Sequence, residues 1–511
     1  MAEMTFAKGL FCIVFVVEHS IMLKSFLDGF KKISNSNIQI NKTIAYLIMG
    51  IAIAFGITLI MYDANWVYGD DSQFWISTAI GKPIFGWHGD GRFWPLGLAD
   101  YNILLLMPFG HTVTAHYLWN SVLFLAGMIF SLKFLLKITD NDYFSSLVAI
   151  TILMFSGAFW QVNITLPTAE RIIWILYAAF MLSLWKAEKK QSTKYYVVSL
   201  LIAAYMTYAK EPIFGTFLII AFTRFVFEFK QLTKKDRLFY GALVVVALSY
   251  VVTYAYLWLQ NPPNWTYKMG RSELRGLALV LELLNVEPIM WMTGVLCVAR
   301  LFSIVYFGDK NNLLVDSLLF AGGGYFMAMF FLNLHEVYLF IPSVFLSLPA
   351  FARFLHSLRK YNNLWIQLGT MCVMLLPLWK DVYTSAAYLE RMYAKRQYDV
   401  QVIDYLYQQS IQGKRIIWVL FDNAAPDPIG ERIITFFNWN FFLNFKYTYE
   451  VNVVRLVNNL DLADENTIIL FPTLGQDMDY LLSHPKMQNY YLRWHCMAAY
   501  TAIFVPKTLL Q

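Results

Sequence analysis

Long apolar segments recur along this chain and constrain its fold more than any other feature. A helix of about 20 mostly apolar residues spans the hydrocarbon core of a bilayer. Segments of this kind occupy residues 43–62, 114–136, 145–161, 170–186, 195–210, 213–229, 238–259, 286–307, 313–332, 337–352 and 363–380. Only 14% of the 511 residues are charged, whereas soluble domains carry roughly 25%. The sequence therefore predicts an α-helical polytopic membrane protein with about 11 transmembrane helices, and it excludes a water-soluble fold.

Basic residues are concentrated in alternate connections between these segments. They are Lys31, Lys32, Lys42, Lys133, Lys137, Lys186, Lys189, Lys190, Lys194, Lys230, Lys234, Lys235, Arg237, Arg353, Arg359 and Lys360. Because cytoplasmic loops are enriched in Lys and Arg, we predict that these connections are cytoplasmic. The loop at 63–112 then lies on the non-cytoplasmic side, and an odd number of spans places the C-terminus on that side as well.

The two ends of the chain differ from its apolar middle. Residues 5–23 form an apolar run that Glu18 and His19 interrupt, which predicts a helix lying on the membrane surface rather than a span. Near the other end, short apolar runs at 415–421 and 467–471 predict buried strands, and a helical segment at 384–411 precedes them. We therefore predict three parts: an N-terminal cytoplasmic or interfacial segment (1–42), a transmembrane domain (43–380) and a small extracytoplasmic α/β domain (381–511).

The loop at 63–112 carries carboxylates close to a membrane surface. Asp70 and Asp71 follow the first main span, and Asp90 and Arg92 follow later in the same loop. Neighbouring carboxylates repel, so one of the pair acquires a raised pKa or a cation sits between them. Either arrangement suits a general base, and the cation would be Mg²⁺ or Mn²⁺. The structural alternatives are a helix N-cap at the aspartate pair and an Asp90–Arg92 pair that fixes the loop.

Further ionisable residues lie at the predicted outer ends of later spans. Three adjacent pairs are involved: Glu170 with Arg171, Lys210 with Glu211, and His335 with Glu336. Ionisable groups are costly at a membrane and default to a functional hypothesis. Arg92 and Lys210 would each suit a phosphate, the arginine through two parallel hydrogen bonds and the lysine as a point charge. The alternatives are an internal ion pair, a snorkelling lysine and a structural histidine.

Several classes of function are excluded or disfavoured by the same sequence. It contains no zinc-ligand spacing, no phosphate-binding glycine loop and no nucleophile elbow, and its four cysteines are far apart. The absence of a cytoplasmic nucleotide-binding domain argues against an ATP-driven transporter and against a transferase that uses cytoplasmic sugar nucleotides. The net charge of +6 is explained by the orienting loops, so it does not indicate nucleic-acid binding. Membrane lipids are the expected surroundings.

Four short motifs resemble the GT-C superfamily of polytopic glycosyltransferases, in particular the transmembrane O-mannosyltransferases and their bacterial relatives. They are the acidic pair Asp70-Asp71, the run Arg92-Phe-Trp-Pro95-Leu with His116-Tyr-Leu-Trp-Asn120, then Tyr208-Ala-Lys210-Glu211, and finally His335-Glu336-Val-Tyr338-Leu-Phe-Ile-Pro342-Ser343. The resemblance covers roughly residues 43–350. Val337 replaces the arginine of the family's last motif, and the tetratricopeptide repeats of the eukaryotic family are absent.

The resemblance implies transfer of a sugar from a polyprenyl-phosphate donor to a glycan, lipid or protein acceptor, on the non-cytoplasmic face of a plasma or bacterial inner membrane. Asp71 would act as the base of an inverting reaction, with Asp70 and Asp90 as alternates. Arg92, Lys210 and Arg171 would hold the donor phosphate, supported by Glu170, Glu211, His335 and Glu336. Trp66, Trp75, Trp87 and Trp94 would stack on the sugar.

Two other hypotheses compete with this one. The chain would be a polymerase or ligase that joins lipid-linked glycans, but the large first outer loop with its acidic pair favours transfer of a single sugar. It would alternatively be a transporter or flippase of such glycans. Transporters tend to have two related halves with broken helices at the bilayer midplane. This sequence has no such symmetry, and the ionisable residues within or next to its spans lie at the predicted outer surface instead of the bilayer midplane.

Overall fold

A computed structural model describes residues 41–65, 77–78, 80–85, 87–88, 92–166, 168–260, 276–332, 334, 336–359, 364–420, 452–455, 460, 463–472, 478–496 and 501–510. Within these ranges the chain is mostly helical. The helices are α1 (Lys42–Met61), α2 (Val113–Ile138), α3 (Tyr143–Phe155), α4 (Gly157–Ile164), α5 (Glu170–Lys190), α6 (Thr193–Ala209), α7 (Ile213–Glu228), α8 (Lys234–Gln260), α9 (Leu277–Val286), α10 (Ile289–Phe307), α11 (Leu313–Leu332), α12 (Ile341–Arg359) and α13 (Leu364–Ile411). Short 3-10 helices occupy Ala99–Leu106 and Val337–Phe340.

Helices cover every one of the predicted apolar segments, which confirms an α-helical polytopic membrane protein. Six of the described helices are long and apolar enough to cross a membrane, or seven if α3 and α4 together form one bent span. The predicted number of 11 is therefore not confirmed. One physical reason is length: α6 and α7 contain 17 and 16 residues, fewer than the roughly 20 of a full span.

A kink separates α3 from α4, where the sequence predicts one continuous span at 145–161. The two helices meet at an angle of 68°. Ser156 lies between them with φ −64° and ψ 130°, so it ends α3 and starts α4 in extended backbone. Its hydroxyl accepts a hydrogen bond from the Phe159 backbone N–H at 3.2 Å, which is the contact of a helix N-cap. The polar residue therefore stabilises a break that hydropathy alone does not reveal.

Close packing of apolar side chains holds the centre of the bundle. Trp174 on α5 is fully buried, and it lies against Gly127 on α2, where an added Cβ would come within 2.4 Å of the indole ring. Small residues let helices approach this closely in membrane proteins. By contrast, apolar residues such as Leu47 on α1 and Val252 on α8 are largely exposed, as expected of surfaces that face lipid.

The C-terminal part is a mixed five-stranded sheet with strand order β4-β3-β5-β7-β6. Its strands are β3 (Arg415–Leu420), β4 (Asn452–Arg455), β5 (Thr467–Pro472), β6 (Tyr490–Cys496) and β7 (Thr501–Pro506). The two strands that the sequence predicts are β3 and β5, which pair in parallel at the buried centre. A two-stranded antiparallel hairpin, β1 (Trp87–His88) with β2 (Arg92–Phe93), lies earlier in the chain. The small C-terminal α/β unit is therefore confirmed.

Helix α13 joins the bundle to this sheet without a break. It contains 48 residues, and it includes both the predicted span at 363–380 and the predicted helix at 384–411. The boundary predicted at residue 380 therefore falls inside one helix, and it stays a prediction. We use the term site end for the end of the bundle where α4 finishes at Ile164 and α5 begins at Glu170.

Two buried carboxyl groups meet beside α4. Glu287, in the connection before α10, and Asp381, on α13, are 0% and 1% exposed, and their carboxyl groups are direct neighbours. Glu287 Oε2 also accepts a hydrogen bond from the Ala158 backbone N–H at 2.9 Å. Glu287 falls inside the predicted segment 286–307, but the span begins only at Ile289 in the structure, so Glu287 precedes it, and Asp381 follows the predicted segment 363–380. Two buried carboxylates in contact repel, so the pair stays together by sharing a proton.

Stability should therefore decrease with rising pH in the wild type and decrease less in Asp381→Asn. Burial and the neighbouring Glu287 raise the pKa of Asp381 far above its ordinary value. The folded protein then retains a proton that the unfolded chain releases above about pH 4, so the free energy of unfolding falls as pH rises. The amide of Asp381→Asn still donates to Glu287 but does not titrate.

The measurement is the unfolding temperature in detergent at pH 6 and pH 9. Asp404→Asn, an exposed change on the same helix, is the matched control and should behave like the wild type. An equal loss between the two pH values in Asp381→Asn and the wild type would contradict a shared proton.

Candidate active site

The segment at 93–97 docks on the end of α6. The Leu96 backbone N–H donates to the Tyr208 carbonyl at 3.1 Å, and the Tyr205 hydroxyl donates to the Leu96 carbonyl at 3.1 Å. Gly97 permits this close approach, since an added Cβ would lie 2.3 Å from a ring atom of Trp94 and 2.8 Å from the Ala209 carbonyl oxygen. The run that includes Phe93 and Trp94 is therefore fixed next to Lys210.

Lys210 is the centre of a buried cluster at the site end. Its Nζ lies 2.9 Å from Glu170 Oε1, with the two side chains 9% and 0% exposed. The same Nζ is 5.9 Å from the centre of a Trp94 ring and 5.8 Å from that of Tyr338. These four residues come from four separate segments, and three of them are predicted site residues. The structure therefore brings together Trp94, Glu170 and Lys210 around one ammonium group.

Local backbone geometry explains why Lys210 points away from α6. The helix ends at Ala209, and Lys210 has extended backbone with φ −157° and ψ 135°. Pro212 follows as the first residue before α7, and proline is compatible with such a helix start because it needs no backbone donor there. Glu211 is also buried in this connection. Lys210 therefore lies in the turn between two short helices and not on the side of a helix.

A second ion pair lies beside the first, because Arg171 follows Glu170 on α5. Its Nη2 donates to Asp100 Oδ1 at 2.8 Å, and its Nη1 lies 2.8 Å from Asp100 Oδ2, so the carboxylate faces both ends of the guanidinium. Trp119 Nε1 donates to the same carboxylate at 2.8 Å, and the guanidinium lies 3.8 Å from the Tyr101 ring centre. Arg171 is 1% exposed. In this structure the guanidinium is paired with Asp100, so its contact with a donor phosphate stays a prediction.

The motif at 116–120 contacts the residues around this ion pair, Trp119 with Asp100 and Asn120 with Tyr101. The Tyr101 hydroxyl lies 3.0 Å from the Leu166 carbonyl oxygen and 3.2 Å from Asn120 Oδ1, and these two acceptors share its one proton. His116 is fully buried, with Nδ1 2.9 Å from the Thr112 carbonyl oxygen. Asp100 and Tyr101 are absent from the predicted site. The sequence signal for Asp100 was that it is the one charged residue in the run 96–106.

The other predicted residues are only partly described. Asp70, Asp71, Asp90, Trp66, Trp75 and His335 lie outside the described residues. In the backbone of the β1–β2 hairpin, Trp87 pairs with Phe93 and Arg92 pairs with His88. Glu336 is exposed and directly precedes the 3-10 helix that carries Tyr338. Their predicted roles in catalysis, phosphate binding and stacking therefore stay predictions.

A metal site is likewise untested at the acidic pair. In the described ranges no group of three or more His, Cys, Asp or Glu residues is arranged to hold a metal ion. The predicted Mg²⁺ or Mn²⁺ ligands, Asp70 and Asp71, fall outside those ranges.

Comparison with solved structures identifies the fold. The crystal structure of ArnT from Cupriavidus metallidurans bound to undecaprenyl phosphate covers 91% of this chain and 98% of its own, with a TM-score of 0.50 and 12% sequence identity. The apo form of the same protein gives a TM-score of 0.48 at 12% identity with the same coverage. No protein-family model and no curated protein matches the sequence.

This likeness confirms the predicted fold, since the chain has the fold of the ArnT structure, a polytopic helical bundle with a small C-terminal sheet. It extends over the bundle and the C-terminal part together, because almost the whole length of both chains is matched. At this level of identity the comparison shows the fold alone, so the chemistry has to be argued from the residues of this chain.

Proposed function

We propose that this protein is an integral membrane glycosyltransferase that moves a sugar from a polyprenyl-phosphate donor to a glycan, lipid or protein acceptor. The observation that carries the proposal is the buried Lys210–Glu170 pair, walled by Trp94 and Tyr338, at one end of a GT-C-like bundle. The ArnT structure of the same fold is bound to undecaprenyl phosphate. A fixed cation beside aromatic rings at a helix-bundle end suits a lipid phosphate that carries a sugar.

The reaction is a displacement at the anomeric carbon. The acceptor hydroxyl attacks that carbon, the bond from the carbon to the phosphate oxygen breaks, and polyprenyl phosphate leaves with the bonding electrons. Asp71 takes the proton of the attacking hydroxyl, with Asp70 and Asp90 as alternates. A single displacement inverts the anomeric configuration and requires no covalent enzyme intermediate.

Lys210 stabilises the departing phosphate. Negative charge develops on the phosphate oxygen as the bond breaks, and a preorganised cation in a site shielded from water stabilises it strongly. An ammonium has three N–H donors, so Lys210 can donate to a phosphate while it stays paired with Glu170. Glu170 is fully buried and holds the ammonium in place, which lowers the cost of reorganising the site during transfer.

The aromatic rings around Lys210 form one wall of the sugar pocket. Trp94 is 7% exposed, and the centre of one of its rings lies 5.9 Å from Lys210 Nζ. Aromatic faces stack on apolar faces of sugar rings, so Trp94 and Tyr338 would lie under the donor sugar. Trp75 and Trp87 would complete the pocket, and a divalent cation held by Asp70 and Asp71 would neutralise part of the phosphate charge.

The site end faces the non-cytoplasmic side. Basic residues lie at the opposite end of the bundle, among them Lys133, Lys190, Lys230 and Lys234. Lys and Arg are enriched in cytoplasmic loops. The N-terminus is then cytoplasmic and the C-terminal sheet periplasmic or extracellular, in a plasma or bacterial inner membrane.

Mass spectrometry of surface glycans and lipid-linked sugars, with and without the gene, tests this function. We expect deletion to remove a hexose or pentose from a surface glycan or lipid while its polyprenyl-phosphate donor accumulates. Complementation with the wild-type gene should restore the sugar. Accumulation of complete but unpolymerised lipid-linked units would favour the polymerase or ligase instead, and unchanged profiles would contradict sugar transfer altogether.

A further inference from the structure

Arg396 is a buried arginine on the half of α13 that leads to the C-terminal sheet, outside the cluster described above. It is 0% exposed. Its Nη1 donates to the Tyr62 carbonyl at 2.7 Å, and its Nη2 donates to the Ile164 carbonyl at 2.9 Å. One guanidinium therefore joins two segments that are about a hundred residues apart in the sequence.

Both carbonyls belong to helix ends. Tyr62 is the residue that ends α1, and Ile164 is the last residue of α4. The last carbonyls of a helix lack partners within it, and the helix dipole places partial negative charge there. A guanidinium that donates to two such ends compensates both at once, which explains why a charged side chain is stable in full burial.

Each of these helix ends is followed directly by a segment of the proposed active site. The loop that carries Asp70 and Asp71 starts after Tyr62. Residues 165–169 start after Ile164 and lead to Glu170, the partner of Lys210. The position of Arg396 therefore sets where both segments leave the bundle.

Neighbouring contacts show that the first of these starts is fixed in detail. The Arg396 guanidinium lies 4.4 Å from the ring centre of Tyr117, whose hydroxyl donates to the Asn65 carbonyl at 3.3 Å. Asp63 has left-handed backbone with φ 48°, and Asn65 Nδ2 donates to its carboxylate at 2.9 Å. An unusual backbone conformation of this kind persists only where surrounding contacts hold it.

We propose that Arg396 is a positioning residue for sugar transfer, which holds the starts of the acidic loop and of the Glu170 segment in register through the Tyr62 and Ile164 carbonyls. This inference rests on the proposed function. It requires the planar fork of arginine, because a lysine ammonium on a flexible stem does not donate to two separated carbonyls in fixed geometry.

The test measures kcat and the KM for a polyprenyl-phosphate sugar with purified full-length protein in detergent or nanodiscs. The variants are Arg396→Lys and Arg391→Lys, the second an exposed arginine on the same helix. We expect Arg396→Lys to lower kcat roughly 10- to 100-fold, the range that a displacement of about 1 Å produces, with a nearly unchanged donor KM. Arg391→Lys should match the wild type.

Rescue separates positioning from folding. Arg396→Ala with added guanidinium should recover part of its kcat, while its unfolding temperature reports how much protein is folded. Three results would overturn the proposal. The first is a wild-type kcat in Arg396→Lys, and the second is a loss of activity that disappears when kcat is calculated per folded molecule. The third is failure of every Arg396 variant to fold. If the wild type transfers no sugar from any donor, the proposed function fails and this inference falls with it, whereas an active wild type with an unaffected Arg396→Lys overturns this inference alone.

Discussion

Replacing Lys210 by glutamine is expected to reduce sugar transfer about 100- to 1,000-fold, the loss that follows removal of one preorganised group from a transition-state charge. The substitution removes the cation that the structure fixes against Glu170, Trp94 and Tyr338. The phosphate then leaves without compensation of its developing charge, so the chemical step slows. The measurement is the single-turnover rate with a saturating polyprenyl-phosphate sugar donor.

Lys210→Gln has a second effect that must be separated from the first. Removing one partner of a buried ion pair costs about 3–5 kcal/mol, because the remaining charge is left uncompensated. Combining it with Glu170→Gln replaces the ion pair by two neutral amides of similar size, which should restore much of the stability. Transfer should stay low in this double variant.

The controls make the assignment decisive. Lys234→Gln, an exposed change at the start of α8, should transfer at the wild-type rate. Suppose that the Lys210→Gln and Glu170→Gln double variant recovers both its stability and its transfer rate. The ion pair would then serve folding, and Lys210 would have no role in the chemical step.

Asp71→Asn is expected to abolish transfer while the protein stays folded in the membrane. The amide is similar in size to the carboxyl but does not accept the proton of the acceptor hydroxyl, and a positioned general base contributes roughly 100- to 10,000-fold. Donor binding through Lys210 should persist in the absence of divalent cations. The experiment compares kcat with binding of the polyprenyl-phosphate sugar in the same preparation.

Asp70→Asn and Asp90→Asn are the comparison variants, because the resemblance leaves both open as alternates. Loss of transfer in one of them, with a normal rate in Asp71→Asn, would move the base to that residue. Normal transfer in all three variants would exclude a carboxylate of this loop as the base.

The sequence predicts the helices of the bundle because apolar length is a local property. The same holds for β3 and β5, whose short apolar runs lie between polar segments. Lys210, Glu170 and Trp94 were predictable one by one from the cost of charge and the presence of an aromatic residue at a membrane surface. Their convergence around one ammonium was not, since it depends on packing among four separate segments.

Other features depend on partners distant in sequence, and hydropathy carries no signal for them. The kink at Ser156 interrupts a segment whose composition is that of a span. Asp100 pairs with Arg171, 71 residues away, and Arg396 bonds to residues 232 and 334 positions away. Glu287 and Asp381 form a contact between two acids that sequence patterns would place apart. Long-range hydrogen bonds of this kind decide the site, and only the folded chain reveals them.

The unbroken helix α13 restricts where the C-terminal sheet can be exchanged between proteins of this fold. A helix of 48 residues is about 70 Å long, and each residue turns it by about 100°. Removing one residue between Arg396 and β3 would rotate the sheet by that angle about the helix axis, whereas removing seven would nearly restore its heading and draw it about 10 Å closer. Chimeras therefore have to conserve helical phase at the junction, and their junctions are best chosen in steps of whole heptads.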